Sequence, residues 1–354
     1  MRISIEDGRI SALDLDERFA DGPLIAPGYV DLHVHGYGGF DAMGGVDALS
    51  GMARALLRHG VTSFLPTAVT ASLDALERFA DDVRSWMPNA PDDGAQPLGF
   101  NFEGPFLAAA RRGAHDMAHL MAPTHLPPSW LDRVAEGLRV ITIAPEIPGS
   151  LDLITSAAER GIVVSLGHSA ATYEQAQAGY AAGGRSTTHL FNAMTGIDHR
   201  TPGLALAALL DDSVFVELIA DGIHVVADVW PLITRLKASD RWFLVSDALA
   251  IAGTGDGTGR IGGLEIEVHG NRATLAGSDT LAGSVIGLDV AVRNLVASGV
   301  ALPAAVGAAS RNPLELLGLS DRGRIAVAQP ADLVELDIAW GVARAMRAGS
   351  WLAG

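Results

Sequence analysis

Eight short apolar segments, spaced by stretches long enough for a helix, constrain this chain more than any other feature of its sequence. They read PGYVDLH (27–33), VTSFLP (61–66), LGFNFE (98–103), RVITIA (139–144), IVVSLG (162–167), STTHL (186–190), VFVELI (214–219) and WFLVSD (242–247). Apolar on both faces rather than alternating, they suit strands of a parallel sheet buried on both sides. Between them lie amphipathic stretches such as DALSGMARALLRHG and SLDLITSAAERG, each ending in the glycine that helix C-termini favour. Strands alternating with helices over roughly 250 residues predict an α/β fold, a closed (β/α)8 TIM-type barrel. An open doubly wound sheet is the alternative. Against it, no G-x-G-x-x-G joins a first strand to a helix.

The chain ends follow a different pattern. Residues 1–25 alternate and contain an Asp-Gly turn, as a hairpin does, and the tail from about 322 reads likewise. The expectation is a small β-sandwich domain built from both termini (1–25 and 319–354) around a catalytic barrel (26–318). The strand-like segment 259–277 follows the eighth strand and is expected to be an excursion beside the barrel mouth. The glycine-rich stretch 251–263 reads as a mobile loop.

Composition narrows the chemistry. With 25 Lys plus Arg against 41 Asp plus Glu, the net charge of −16 gives a field that repels nucleic acid and anionic lipid. There is no cysteine, so any metal must sit on nitrogen and oxygen. No apolar run approaches the ~20 residues needed to span a bilayer, and the N-terminal stretch lacks a basic segment followed by an apolar one, so a cytoplasmic protein is expected. Lys237 is the only lysine; its amphipathic, charge-flanked setting reads as a solvated helix face.

In a β/α barrel the reacting groups come from strand C-termini, and His33, His35, Glu103, His168, His189 and Asp247 all fall there. Each has a structural alternative when taken singly: an isolated H-x-H, a capping or ion-paired Glu, a core histidine satisfied by a carbonyl. Together, two histidines and a carboxylate on one barrel face make a three-ligand site with an open position for water, as a catalytic divalent cation requires. Asp247 is then the carboxylate beside that water, able to take a proton and return it to a leaving group. His59, His119, His125, His199 and His269 fall in helix ends or loops and are read as solvated.

The ordered motifs DLHVHG, FEGPFL, SLGHS, THLFNAM, ADGIHV, VSDAL and LAGS resemble the amidohydrolase superfamily and, within it, the N-acetylglucosamine-6-phosphate deacetylase family, from about residue 24 to 318. The terminal segments, with ADLVELD in the tail, are similar to that family's composite β domain. The resemblance implies hydrolysis of an N-acetyl amide to acetate and glucosamine 6-phosphate. It implies Glu103, His168 and His189 as metal ligands, His33 and His35 as a first-strand pair that leaves room for one ion or two, and Asp247 as acid/base. His115 matches a histidine that contacts the substrate carbonyl. Ala114, Asn192, Ala193, Leu281, Ala282 and Gly283 fall among the implied substrate contacts, and Arg200 and His224 match the phosphate-binding pair. The implied cofactor is a divalent metal, Zn²⁺ first, with Fe²⁺, Mn²⁺ or Co²⁺ as alternatives. The implied partners are a small amino-sugar phosphate and a second copy in a homodimer, with Arg200 reaching the neighbouring active site. Two rivals stand beside this reading. One is another amidohydrolase, acting on the galactosamine epimer or a cyclic amide; the other is a non-catalytic sugar-phosphate sensor. One departure is Ala328, where relatives often carry glycine.

Overall fold

The structure is a computed structural model and describes residues 1–16 and 22–352. Its centre is a parallel barrel of eight strands: Tyr29–Val34, Val61–Val69, Phe100–Glu103, Leu138–Ile143, Val163–Leu166, Gly184–Thr187, Phe215–Leu218 and Trp242–Leu244. Each strand pairs with the next in chain order, and every one of the eight apolar segments contains or overlaps one of them. Seven are buried along their length or nearly so, as strands covered on both faces must be. At the mouth the first and last strands are stitched together by the Asp247 N–H donating to the His33 carbonyl and the His35 N–H donating to that of Ala248, both at 2.9 Å.

Helices cover the outside. The first, Val46–Arg58, buries Leu49, Met52, Ala53, Leu56 and Leu57 on one face, the spacing of an amphipathic helix. It gives way at Gly60, whose φ of 81° is the left-handed conformation that ends helices at little cost to glycine. Among the described residues, no helix is long and apolar enough to cross a membrane.

After the eighth strand comes a three-stranded antiparallel sheet, Gly257–Ile261, Leu264–His269 and Arg272–Leu275. Its apolar face packs with Val69, Ala114, Leu249 and Ala282, which seats it at the barrel mouth. The glycine-rich stretch read as a loop is therefore in part a strand: Gly257 and Gly259 pair with Val268 and Ile266, and cross-strand pairing overrides the weak strand propensity of glycine.

The two chain ends meet. A hairpin, Arg2–Glu6 with Arg9–Asp14, lies against a four-stranded sheet of Leu24–Pro27, Leu333–Leu336, Val342–Arg347 and Ser350–Trp351. Ile10, Ala331, Leu333 and Met346 form the core between them. Ala328 adopts φ 72°, a left-handed conformation that disfavours a Cβ. Replacing Ala328 with Gly is expected to stabilise the protein by about 1 kcal/mol, read as a raised denaturation midpoint at unchanged slope; an unchanged or lower midpoint would contradict this.

Two sequence expectations need correction. Lys237 is not on a solvated face; it is only 4% exposed, and its ammonium donates to the carbonyls of Ala208 (3.1 Å) and Asp211. The helix Leu204–Leu210 leaves unpaired carbonyls at its end, and a cation is the group that satisfies them. Burial lowers the pKa of Lys237 to about 8. His59 is half-buried, its ring tilted against that of Tyr37 at a centroid distance of 4.8 Å and paired through Nδ1 with Asp289 Oδ2 at 3.0 Å, because Asp289 in the first turn of a later helix is brought beside it.

Candidate metal centre and active site

Glu103 is the last residue of the third barrel strand and is 3% exposed. Directly after it the chain must turn against Thr70; a Cβ on Gly104 would lie 2.1 Å from the Thr70 hydroxyl oxygen, so only glycine fits. His168, His189 and Asp247 sit just beyond their strands at φ 46°, 27° and 50°. Left-handed backbone is rare for such residues and costs of order 1–3 kcal/mol each, so surrounding contacts must impose it. It also explains why the sixth strand ends at Thr187 and the eighth at Leu244, ahead of the residues that carry the chemistry.

The side chains converge. His168 Nε2 and His189 Nε2 each lie 3.0 Å from Glu103 Oε1 and 3.0 Å from each other. His35 Nε2 lies 3.2 Å from Glu103 Oε2 and 3.2 Å from Asp247 Oδ1, and His33 Nε2 is 3.2 Å from His35 Nε2. His115 Nε2 approaches Glu103 Oε2 at 3.1 Å. Two groups of donor atoms within metal-binding reach share Glu103: one with His33, His35 and Asp247, the other with His115 and His168.

The atoms behind these rings decide which nitrogen faces the centre with a lone pair. His35 Nδ1 lies 3.1 Å from the Thr67 carbonyl and His168 Nδ1 2.9 Å from that of Arg111. A carbonyl only accepts, so each Nδ1 carries hydrogen, and each ring, once Nε2 gives up its proton to make room for a cation, aims the Nε2 lone pair inward. His115 is the opposite case: its Nδ1 accepts from the Thr70 main-chain N–H at 3.3 Å and lies 2.9 Å from the Thr70 hydroxyl, and its Nε2, facing the acceptor Oε2 of Glu103, carries the proton. His115 therefore faces the cavity side as a donor, the role a carbonyl oxygen needs.

This arrangement fits a cation. A nitrogen–nitrogen–oxygen triangle with 3.0 Å edges has no set of hydrogen bonds that satisfies all three sides, whereas tetrahedral ligands on a zinc ion stand roughly 3.3 Å apart. The electrostatics agree. Burial works against the charge of Glu103, but His33, His115 and His168 hold its carboxyl well below the usual range. Burial likewise opposes ionisation of Asp247, yet the hydrogen bond from His35 and the charges of His33 and His35 hold it at about 2. Burial would lower His35, and hydrogen bonds to Asp247 and Glu103 outweigh it, raising His35 to about 9. Two ionised carboxylates in a dry pocket attract whatever positive charge fits, proton or metal.

Above the cluster opens a cavity of about 350 Å³. Of the residues singled out from the sequence, His35, Glu103, Ala114, His115, His168, His189, Asn192, Ala193, His224, Asp247, Leu281, Ala282 and Gly283 line it. His33 lies beneath, fully buried. His224 is braced by Asp221, whose Oδ2 lies 2.7 Å from its Nδ1. Arg200 is exposed, on a turn organised by Asp198, and does not line the cavity of its own chain. Sequence reading missed four residues here: Thr67, Thr70, Arg111 and Glu217. For Glu217 the signal was present, a lone carboxylate inside the apolar run VFVELI.

Comparison with known proteins agrees with the geometry. The sequence profile of the Amidohydrolase family matches residues 24–349. The chain is 38% identical over 349 residues to the N-acetylgalactosamine-6-phosphate deacetylase of Escherichia coli O157:H7, covering 95% of this chain and 90% of that protein. It is 37% identical over 341 residues to the N-acetylglucosamine-6-phosphate deacetylase of Homo sapiens, covering 91% and 81% respectively. Among solved structures it superposes on the N-acetylglucosamine-6-phosphate deacetylase of Thermotoga maritima with a TM-score of 0.91 at 34% identity, covering 99% of this chain and 94% of that one. A mutant of the Mycobacterium smegmatis enzyme in complex with N-acetyl-D-glucosamine-6-phosphate matches with the same score, identity and coverage. This chain belongs to the amidohydrolase family.

Proposed function

We propose that the protein hydrolyses the N-acetyl group of N-acetylglucosamine 6-phosphate, giving glucosamine 6-phosphate and acetate. The observation that carries this reading is the triangle of Glu103, His168 and His189 with the Asp247 carboxylate beside it, at the floor of a cavity sized for a small molecule. Glu103, His168 and His189 would hold a divalent cation, Zn²⁺ first by the nitrogen and oxygen donor set, and His33 and His35 complete a second group with Glu103 and Asp247. When bound, such an ion supplies Lewis acidity, making water more acidic and an amide carbonyl more electrophilic.

The remaining work belongs to side chains. His115 donates from Nε2 to the acetamido oxygen and stabilises the negative charge that grows there. Asp247, held ionised, takes a proton from the attacking water and then gives it to the amine nitrogen as the carbon–nitrogen bond breaks, because an unprotonated amide anion is a poor leaving group. His224 and the main chain at Asn192 and Ala193 hold the sugar phosphate. Arg200 of a second copy completes the phosphate site, which makes the working form a homodimer, and its guanidinium offers a donor fork matched to phosphate oxygens. The small β unit (1–25 and 319–354, of which 17–21, 353 and 354 lie outside the described residues) would frame the barrel (26–318), which carries the chemistry.

The relative named for galactosamine gives the epimeric substrate a specific claim as a second reading. Acetate and amine release should therefore be measured on both 6-phosphates and on unphosphorylated N-acetylglucosamine. The expected result is kcat/KM for N-acetylglucosamine 6-phosphate above that for the epimer, and about 100-fold above that for the unphosphorylated sugar, the worth of one or two charge-assisted hydrogen bonds. Preference for the other epimer would transfer the assignment, and equal rates with and without phosphate would remove His224 and Arg200 from it.

A further inference from the structure

Glu217 lies in the seventh barrel strand, 2% exposed, and does not line the cavity. One of its carboxylate oxygens serves two parts of the centre at once. Oε2 accepts the main-chain N–H of His189 at 2.9 Å and lies 3.1 Å from Nδ1 of His33. The strand's own backbone adds a third tie, the Glu217 carbonyl accepting from the Leu190 N–H at 2.9 Å.

Two consequences follow from hydrogen-bond chemistry. An oxygen already accepting from a peptide N–H faces His33 as an acceptor, so His33 Nδ1 carries hydrogen and the neutral ring turns its Nε2 lone pair toward Glu103 (3.4 Å) and Asp247 (3.5 Å). And His189 keeps its left-handed backbone, φ 27°, because the N–H at that residue and the N–H after it are both held by Glu217. His189 Nδ1 has no hydrogen-bond partner among the described residues, so its ring direction depends on this backbone hold rather than on a brace behind the ring. His35 and His168 are aimed by main-chain carbonyls; His33 and His189 share a single side chain.

We infer that Glu217 is a positioning residue that sets the His33 tautomer and the His189 backbone together, and so couples the two cation positions that meet at Glu103. The inference rests on reading the cluster as a metal centre. Removing Glu217 loosens one ligand from each position; removing the brace of one histidine alone would loosen one position.

The test compares Glu217→Gln and Glu217→Ala with the unchanged protein, all checked for folding by circular dichroism. Zinc affinity is measured by competition with a chromophoric chelator, alongside kcat and KM on N-acetylglucosamine 6-phosphate. Glu217→Ala is expected to weaken zinc binding about 10- to 100-fold, the usual cost of losing a residue that braces a metal ligand. Its kcat should fall at limiting zinc and recover with excess zinc, with KM unchanged. Glu217→Gln can keep an oxygen where Oε2 meets both donors, but an uncharged amide oxygen accepts more weakly than a carboxylate, so it should fall between. Unchanged zinc affinity in folded variants, or a rise in KM with kcat intact, would overturn the inference. Failure of the unchanged protein to bind any divalent ion would instead overturn the metal-centre reading. If the alanine variant does not fold, the glutamine variant decides: zinc affinity equal to that of the unchanged protein refutes the role.

Discussion

Asp247→Asn lowers kcat by about 10²- to 10⁴-fold while the protein still binds metal at Glu103, His168 and His189. The reasoning separates shape from proton affinity. Asn has nearly the volume of Asp and keeps an oxygen that can lie near His35 Nε2, now 3.2 Å from Oδ1, so the pocket and the main-chain bond from the residue 247 N–H to His33 persist. What is lost is the only step that side chain performs, taking a proton from water and giving it to the departing nitrogen. Because the residue holds no part of the sugar, KM should change little, and a loss confined to kcat is the signature of an interaction made only as the reaction proceeds. Measuring zinc content and single-turnover acetate release on the same preparation checks both halves. Wild-type turnover by the variant would take Asp247 out of the mechanism. Loss of zinc together with turnover would make it chiefly a ligand, which its place in the group with His33, His35 and Glu103 would then explain.

How much of this was legible before any coordinates follows from what kind of signal each residue carries. Barrel strands are hydrophobic runs with turn residues between them, and long-range context only fixes their ends. The eight runs therefore located the strands, but not the left-handed turns at His168, His189 and Asp247 that cut them short. Glu103 and the histidines stood out because a polar group at the end of a buried strand has a desolvation cost that needs a reason. Glu217 met the same criterion and was passed over because it lies within a strand, where nothing local says which neighbour it serves; its partners His33 and His189 are 184 and 28 residues away. Lys237 misled for a related reason. Helical periodicity places a residue on a face, but the carbonyls of Ala208 and Asp211 that bury this ammonium belong to a different helix end. The tautomers are wholly structural information: Thr67 and Arg111 act through main-chain carbonyls that any residue type would supply, and Thr70 meets His115 through its main-chain N–H and its hydroxyl, 45 residues away in the chain.

The largest effect on the centre itself is expected from Glu103→Gln. Glu103 is the one side chain that both donor groups share, its Oε1 facing His168 and His189 and its Oε2 facing His35 and His115. Gln leaves one acceptor oxygen and replaces the other with an NH₂ group, which cannot ligate a cation and which either ties up the Nε2 lone pair of His35 by donating to it or meets the Nε2–H of His115 donor against donor. The charge lost is also the one that compensates burial of the positive partners, so the site loses attraction as well as geometry. A chelator titration should find zinc affinity lowered by more than the roughly 100-fold upper range for losing a bracing residue, since a ligand itself is gone. Turnover should fall to the background of the protein stripped of metal, and excess zinc should restore little of it, unlike the behaviour expected of Glu217→Ala. A Glu103→Gln protein that kept both its zinc and its activity would mean that the convergence of five imidazoles on this carboxylate serves packing alone, and the deacetylase reading would lose its chemical basis.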